Sequence, residues 1–208
     1  MLYNEIYGWN INNLQFPSTL KELYFGDNFN NGDISGNSNK ALILDLSGTN
    51  LNKLQFGFVF NQNINSLILP DNKTKILKFG TVFNQNLNNF KYPTALEQLS
   101  FGDTFNNGDP YTADNTKNVF NQTNLINTNL KTLEFGVAFN KQLDLHNLST
   151  LQNLRLDPNY FTDGQKSVAY GNMKLNLIDC GDKCVKGNNV TYIRPDNIVG
   201  AVPTQTTT

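Results

Sequence analysis

Apolar residues in this chain recur in a fixed phrase rather than in a helical or simple alternating pattern. In LKFGTVFN, from Leu77, large apolar residues stand at the first, third and seventh positions, a glycine at the fourth and an asparagine at the eighth. The same L-x-F-G-x-x-F-N phrase begins at Leu23, Leu54, Leu99 and Leu133. The intervals between the five copies are 31, 23, 22 and 34 residues, so the base unit is about 22 residues with extra loops in the first and fourth units. In L-x-F the two apolar residues are two apart, which places them on one side of a short strand and the middle residue on the other. Glycine then permits a tight exit from the strand. The second phenylalanine, as in Phe83 or Phe105, is expected to turn inward and stack on its counterparts. The asparagine after it is expected to bond the backbone of the adjacent unit, as a buried amide must. Weaker echoes follow at Leu154-Arg155-Leu156 and Leu175-Asn176-Leu177, each leucine 21 residues after the last.

A 20–29-residue period is that of leucine-rich repeats. A further leucine three residues upstream (Leu20, Leu51, Leu96, Leu130, Leu151) makes LxxLxF, close to their LxxLxL. The expected fold is therefore a β-rich, leucine-rich-repeat-like solenoid of roughly 22-residue coils. Its strands are short and parallel. Its convex side is largely non-helical, because return paths such as NQNLNNFKYPTA are short, polar and without helical period. L-x-F-G-x-x-F-N followed by leucine or isoleucine, as in FNQNI and FNQNL, resembles the FNIP repeat of social amoebae and giant DNA viruses. The resemblance covers residues 20–157. It departs where that family often has proline, since Asn63, Asn86 and Gln142 stand there. Viral members of that family often carry an F-box ahead of the repeats, and none is expected within this sequence.

Residues 1–17 are off-pattern, hold the single tryptophan, Trp9, and suit an N-terminal cap. Residues 18–157 form the repeats, with insertions near 32–40 and 107–120 that follow the same FNNGD phrase. Residues 158–208 form a C-terminal cap, with LNLID and VTYIR as strands and AVPTQTTT as a tail or partner-binding arm.

Composition narrows the function. Net charge is -1 and charged residues make up 16%, which disfavours a nucleic-acid partner and a polybasic membrane anchor. No apolar run spans a bilayer, so membrane insertion is not expected. The start, MLYNEIYGWN, lacks a secretory signal pattern, and the cytoplasm, or a virion assembled there, is the expected site. With 36 asparagines in the chain, the four N-x-S/T sequons at Asn72, Asn121, Asn147 and Asn189 match chance.

Candidate chemistry is sparse. FGDNFNNGD and FGDTFNNGD offer a calcium-like loop through Asp27, Asn31 and Asp33, or through Asp103, Asn107 and Asp109. The repeat needs Phe29 and Phe105 inside, however, and no glutamate closes either loop, so an Asn-Gly turn is the expected structure. Cys180 and Cys184 in CGDKC lack the ligands for zinc and read first as reduced thiols, with a local disulfide as the alternative. His146, the single histidine, has no nucleophile elbow near it and reads as a surface residue. No catalytic residue, metal site or cofactor is expected.

What remains is a surface. The middle residues of L-x-F are Tyr24, Gln55, Lys78, Ser100, Glu134 and Arg155. They are expected to form a concave face of mixed charge, joined by Glu22, Lys53, Ile76, Gln98, Thr132 and Asn153 from one position earlier. A non-enzymatic module binding a protein partner through that face or the inserted loops is the first expectation. A structural subunit of a larger assembly, such as a giant-virus virion component, is the alternative.

Overall fold

A computed structural model describes residues 11–12, 14–30, 41–106, 120, 123–161, 168–169, 175–178 and 190–193. Among them there is no α-helix, only two 3-10 turns, Thr123–Leu125 and Pro158–Phe161. The strands are short: β1 (Glu22–Tyr24), β2 (Leu44–Asp45), β3 (Lys53–Gln55), β4 (Leu67–Ile68), β5 (Ile76–Lys78), β6 (Gln98–Ser100), β7 (Thr132–Glu134), β8 (Leu143–Asp144), β9 (Asn153–Arg155), β10 (Val168–Ala169), β11 (Leu175–Ile178) and β12 (Val190–Ile193). Eight of them make one sheet in the order β1-β3-β5-β6-β7-β9-β11-β12. Every neighbouring pair in it is parallel. The pairs β2–β4 and β8–β10 lie on the return segments and are also parallel.

Each phrase supplies one strand, and the strands pair in register. Leu23, Leu54, Leu77, Leu99, Leu133 and Leu154 are successive partners, all buried. Beyond β9 the register moves. Leu177, not Leu175, partners Leu154, so that unit is 23 residues long rather than the 21 expected from the leucine spacing. β12 then continues the same sheet from the VTYIR segment.

The phenylalanines form two columns beneath the sheet. In the first, Phe25, Phe56, Phe79, Phe101 and Phe135 stack at centroid distances of 5.2, 5.7, 5.5 and 5.4 Å. In the second, Phe29, Phe60, Phe83 and Phe105 stack at 5.9, 6.0 and 6.2 Å. Within a unit the two rings also stack, as Phe79 and Phe83 do at 4.0 Å. The second column breaks after Phe105. Phe120, from the end of the long insertion, stands edge-on to Phe105 and to Phe139 at 76° and 77°. The insertion thus returns an aromatic ring to the core, and burial at 3% exposure shows that the ring is part of it.

The glycines have a different reason from the expected strand exit. A Cβ on Gly57, Gly80, Gly102 or Gly136 would lie 1.9–2.5 Å from a carbonyl oxygen of the preceding glycine in the series. The constraint is backbone lying on backbone, which only glycine allows. The turn itself closes locally, with the amide of Phe60, Phe83, Phe105 or Phe139 donating to the glycine carbonyl three residues back at 3.3–3.4 Å.

The asparagines after the second phenylalanine form a ladder. Asn30 Oδ1 accepts from the Asn61 amide at 3.0 Å, Asn61 from Asn84 at 2.9 Å, Asn84 from Asn106 at 2.9 Å and Asn106 from Asn140 at 3.2 Å. The ladder lies at the surface rather than in the interior: Asn84 and Asn140 are exposed and the others half-buried. Asn63 and Asn86 accept from the amides of Asn65 and Asn88, both at 2.8 Å, closing Asx turns that redirect the chain. Replacing Asn84 with alanine removes the acceptor for Asn106 and should cost about 1 kcal/mol. Asn84→Asp keeps an acceptor oxygen there and should cost less. Urea midpoints of the two variants check this order.

The outward sheet face as candidate functional site

Alternation along three-residue strands leaves two rows of side chains on the face opposite the leucines and phenylalanines. One row is Tyr24, Gln55, Lys78, Ser100, Glu134 and Arg155, in register from β1 to β9. The other is Glu22, Lys53, Ile76, Gln98, Thr132, Asn153 and Asn176, the last supplied by β11. Glu22 and Arg155 are exposed and most of the others half-buried. Ser100 departs from the expected exposure, at 9%. Its hydroxyl donates to Glu134 Oε2 at 2.5 Å, and Gln98 Nε2 reaches the same carboxylate oxygen at 3.5 Å. In-register neighbours here are a strand spacing apart, so complementary polar side chains on adjacent strands satisfy one another and shield the smallest.

The same economy runs to both ends of the face. Tyr24 donates its hydroxyl to Glu22 at 2.7 Å, and the Lys53 ammonium stands 4.7 Å from the centre of the Tyr24 ring. Farther along, Asn176 donates to Asn153 Oδ1 at 2.9 Å and Asn153 donates to Thr132 Oγ1 at 3.3 Å. At the rim where the strands begin, Glu97 takes Lys75 on one oxygen at 2.9 Å and Lys131 on the other at 2.8 Å. Hydrogen bonds from Lys131 and then Lys75 hold the Glu97 carboxyl below the usual glutamate range. A carboxylate lowered in the folded state stabilises above its unfolded pKa, and that contribution is lost as pH falls through the folded value. Glu97→Gln should therefore cost less than about 1 kcal/mol at neutral pH, the scale of a surface ion pair. The difference from the parent chain should vanish as pH falls through the carboxyl range, as paired thermal melts would show.

Other candidates from the sequence fall elsewhere. His146 is exposed on a return segment, its Nδ1 2.7 Å from Asp144 Oδ1. That contact holds the Asp144 carboxyl below the usual range. Asp27 is exposed, and its Oδ1 accepts from the Phe58 amide of the next unit at 3.3 Å. Asp103 is exposed in the equivalent turn, and its carbonyl accepts from the Ala138 amide at 2.8 Å. Asn31, Asp33, Asn107, Asp109, Cys180, Cys184, Trp9, the expected common exit of the two insertions and the AVPTQTTT tail lie outside the described residues. Among the described residues no three histidine, cysteine or carboxylate groups converge on a metal-sized site. No described helix is long and apolar enough to cross a membrane.

What the sequence pattern did not reveal is that the rows are wired together across strands. Ser100, Glu134 and Gln98 come from units separated by an insertion, and only register brings them into contact. Comparison with family models, with curated proteins and with solved structures finds no match to this chain.

Proposed function

We propose that the chain is an FNIP-type, leucine-rich-repeat-like solenoid that does no chemistry and binds a protein partner through the sheet face, the concave side of such a solenoid. The observation that carries this reading is the division of labour along each strand. Leucines and phenylalanines are buried in columns, while the residues facing away from them form two rows that are polar except at Ile76. Extended faces of this kind are what stacked repeats offer to partners. The proposed binding residues are Tyr24, Gln55, Lys78, Ser100, Glu134 and Arg155, and the proposed setting is the cytoplasm or a virion assembled there.

Glu134 is unsuited to a binding test, because its loss leaves the nearly buried Ser100 hydroxyl without an acceptor. Lys78→Glu with Arg155→Glu is the better variant. It should abolish capture of the native partner while the melting temperature shifts by no more than a surface change produces, about 0.5 kcal/mol in stability. Capture that survives this variant would remove the face from consideration.

A second reading, a structural subunit of a larger assembly, draws on the sheet order. β1 and β12 end the sheet, and among the described residues each pairs on one side alone. Strand edges of that kind can add a further strand from another molecule. Concentration-dependent growth in sedimentation would favour it over the adaptor.

A further inference from the structure

Charge is not spread evenly over the described surface. The sheet face and its strand-entry rim hold six cations, Lys21, Lys53, Lys75, Lys78, Lys131 and Arg155, against three carboxylates, Glu22, Glu97 and Glu134. Elsewhere among the described residues the ratio reverses. Lys73, Lys91 and Lys141 stand against six aspartates, in turns and return segments. A chain of net charge -1 thus carries a positive face.

The carboxylates on that face are also engaged. Glu22 accepts from Tyr24, Glu97 is shared by two lysines, and Glu134 accepts from Ser100 and Gln98. Among the described residues, by contrast, the side chains of Lys21 and Lys78 meet no partner and that of Lys53 meets the Tyr24 ring. Glu22 and Glu134 keep their charge, since their donors are neutral, and the face still carries three more cations than carboxylates.

Spacing says what kind of anion fits. Lys21, Lys75 and Lys131, the last two sharing Glu97 between them, stand just before β1, β5 and β7, the first, third and fifth strands of the sheet. At roughly 4.8 Å per strand these cations recur about every 10 Å. That matches every third residue of an extended or polyproline-type peptide, at roughly 3.1–3.6 Å per residue. A nucleic-acid backbone, charged at every unit, would meet Glu22, Glu97 and Glu134 among the lysines. An acidic peptide with spaced carboxylates avoids them.

We infer that the partner presents an extended acidic segment, with a carboxylate at about every third residue, laid across the strands of this face. The inference rests on the reading of the face as partner-binding and adds the chemistry of what it binds.

The test uses the full chain and the labelled peptide (Glu-Pro-Ser)5, followed by fluorescence anisotropy. The peptide should bind saturably, and raising salt from about 50 to 300 mM should weaken it at least about tenfold, as for a contact made of several ion pairs. Lys21→Glu with Lys78→Glu should weaken it at least about tenfold with an unchanged melting temperature, since neither lysine side chain has a partner among the described residues. Lys91→Glu with Lys141→Glu, off this face, should leave it within about twofold. Equal binding of (Gln-Pro-Ser)5, tighter binding of a 15-nucleotide oligothymidine, or no saturation by about 1 mM peptide would overturn the inference. So would equal losses in the two lysine pairs. If (Glu-Pro-Ser)5 fails while Lys78→Glu with Arg155→Glu still abolishes capture of the native partner, the acidic segment is wrong and the binding face stands. If both fail, the binding face falls as well.

Discussion

Gly80→Ala should cost at least about 4 kcal/mol, the range reserved for a few structural mechanisms, or leave the repeats unfolded. The added Cβ would stand 1.9 Å from the Gly57 carbonyl oxygen and 2.4 Å from its carbon. Both are main-chain atoms held by a ladder in which the Val82 amide donates to the Phe58 carbonyl at 3.1 Å and the Phe56 amide to the Lys78 carbonyl at 2.9 Å. No flexible side chain can move aside, so adjacent units must separate and the phenylalanine columns with them. Gly48 provides the internal control, because a Cβ there has nothing within 4 Å. Gly48→Ala should stay within about 1 kcal/mol of the parent, on the stabilising side if the loss of unfolded-state freedom dominates. Equilibrium urea unfolding of the two variants reads the contrast. Equal, small effects would show that the units do not approach through their glycines.

Phe83→Ala is expected to cost about 3–5 kcal/mol, the usual range for a buried aromatic ring. Phe83 is 0% exposed and touches rings in three directions: Phe79 at 4.0 Å, Phe60 at 6.0 Å and Phe105 at 6.2 Å. The cavity would be walled by those rings, whose positions are fixed by further stacking, so little collapse can refill it. Phe58 is the comparison, an aromatic residue in the preceding unit that is 50% exposed. Phe58→Ala should cost under about 1 kcal/mol, since half its surface is already in water. A loss under about 1 kcal/mol for Phe83→Ala would mean that the column does not carry the core.

The parts of this fold that a sequence can show are those fixed by alternation and period. L-x-F gave β1, β3, β5, β6 and β7, because two large residues two apart on a short extended segment have one way to be buried together. The turned-in Phe60 and Phe83 and the cross-unit bonds of Asn61 and Asn84 followed from the same fixed offsets. The parts that period alone could not give depend on how one unit lies on the next. The glycines read as strand exits, whereas the contact that requires them comes from a residue 22–34 positions away. Leu175 and Leu177 are equally apolar, and only the pairing of Asn176 with Asn153 shows which one continues the leucine row. Phe120 lacks the L-x-F-G half of the phrase, and its only local signal was the F-N-Q of Phe120-Asn121-Gln122, which also ends the phrases at Phe60 and Phe83. On the candidate face, direction away from the core was legible for all six residues, but the near burial of Ser100 was not. It depends on Glu134, its neighbour across the sheet and 34 positions along the chain.

Scalar couplings across backbone hydrogen bonds, measured by NMR from the amide of the first phenylalanine in each phrase, test the stacked repeat most directly. Coupling is expected from Phe56 to the Lys78 carbonyl, from Phe79 to Ser100, from Phe101 to Glu134 and from Phe135 to Arg155. The third of these is decisive, because it must pass over the whole of the 107–120 insertion to the next copy of the phrase. Coupling from Phe101 to a carbonyl within that insertion, or from any of the four to a nearby residue in a local hairpin, would contradict the account.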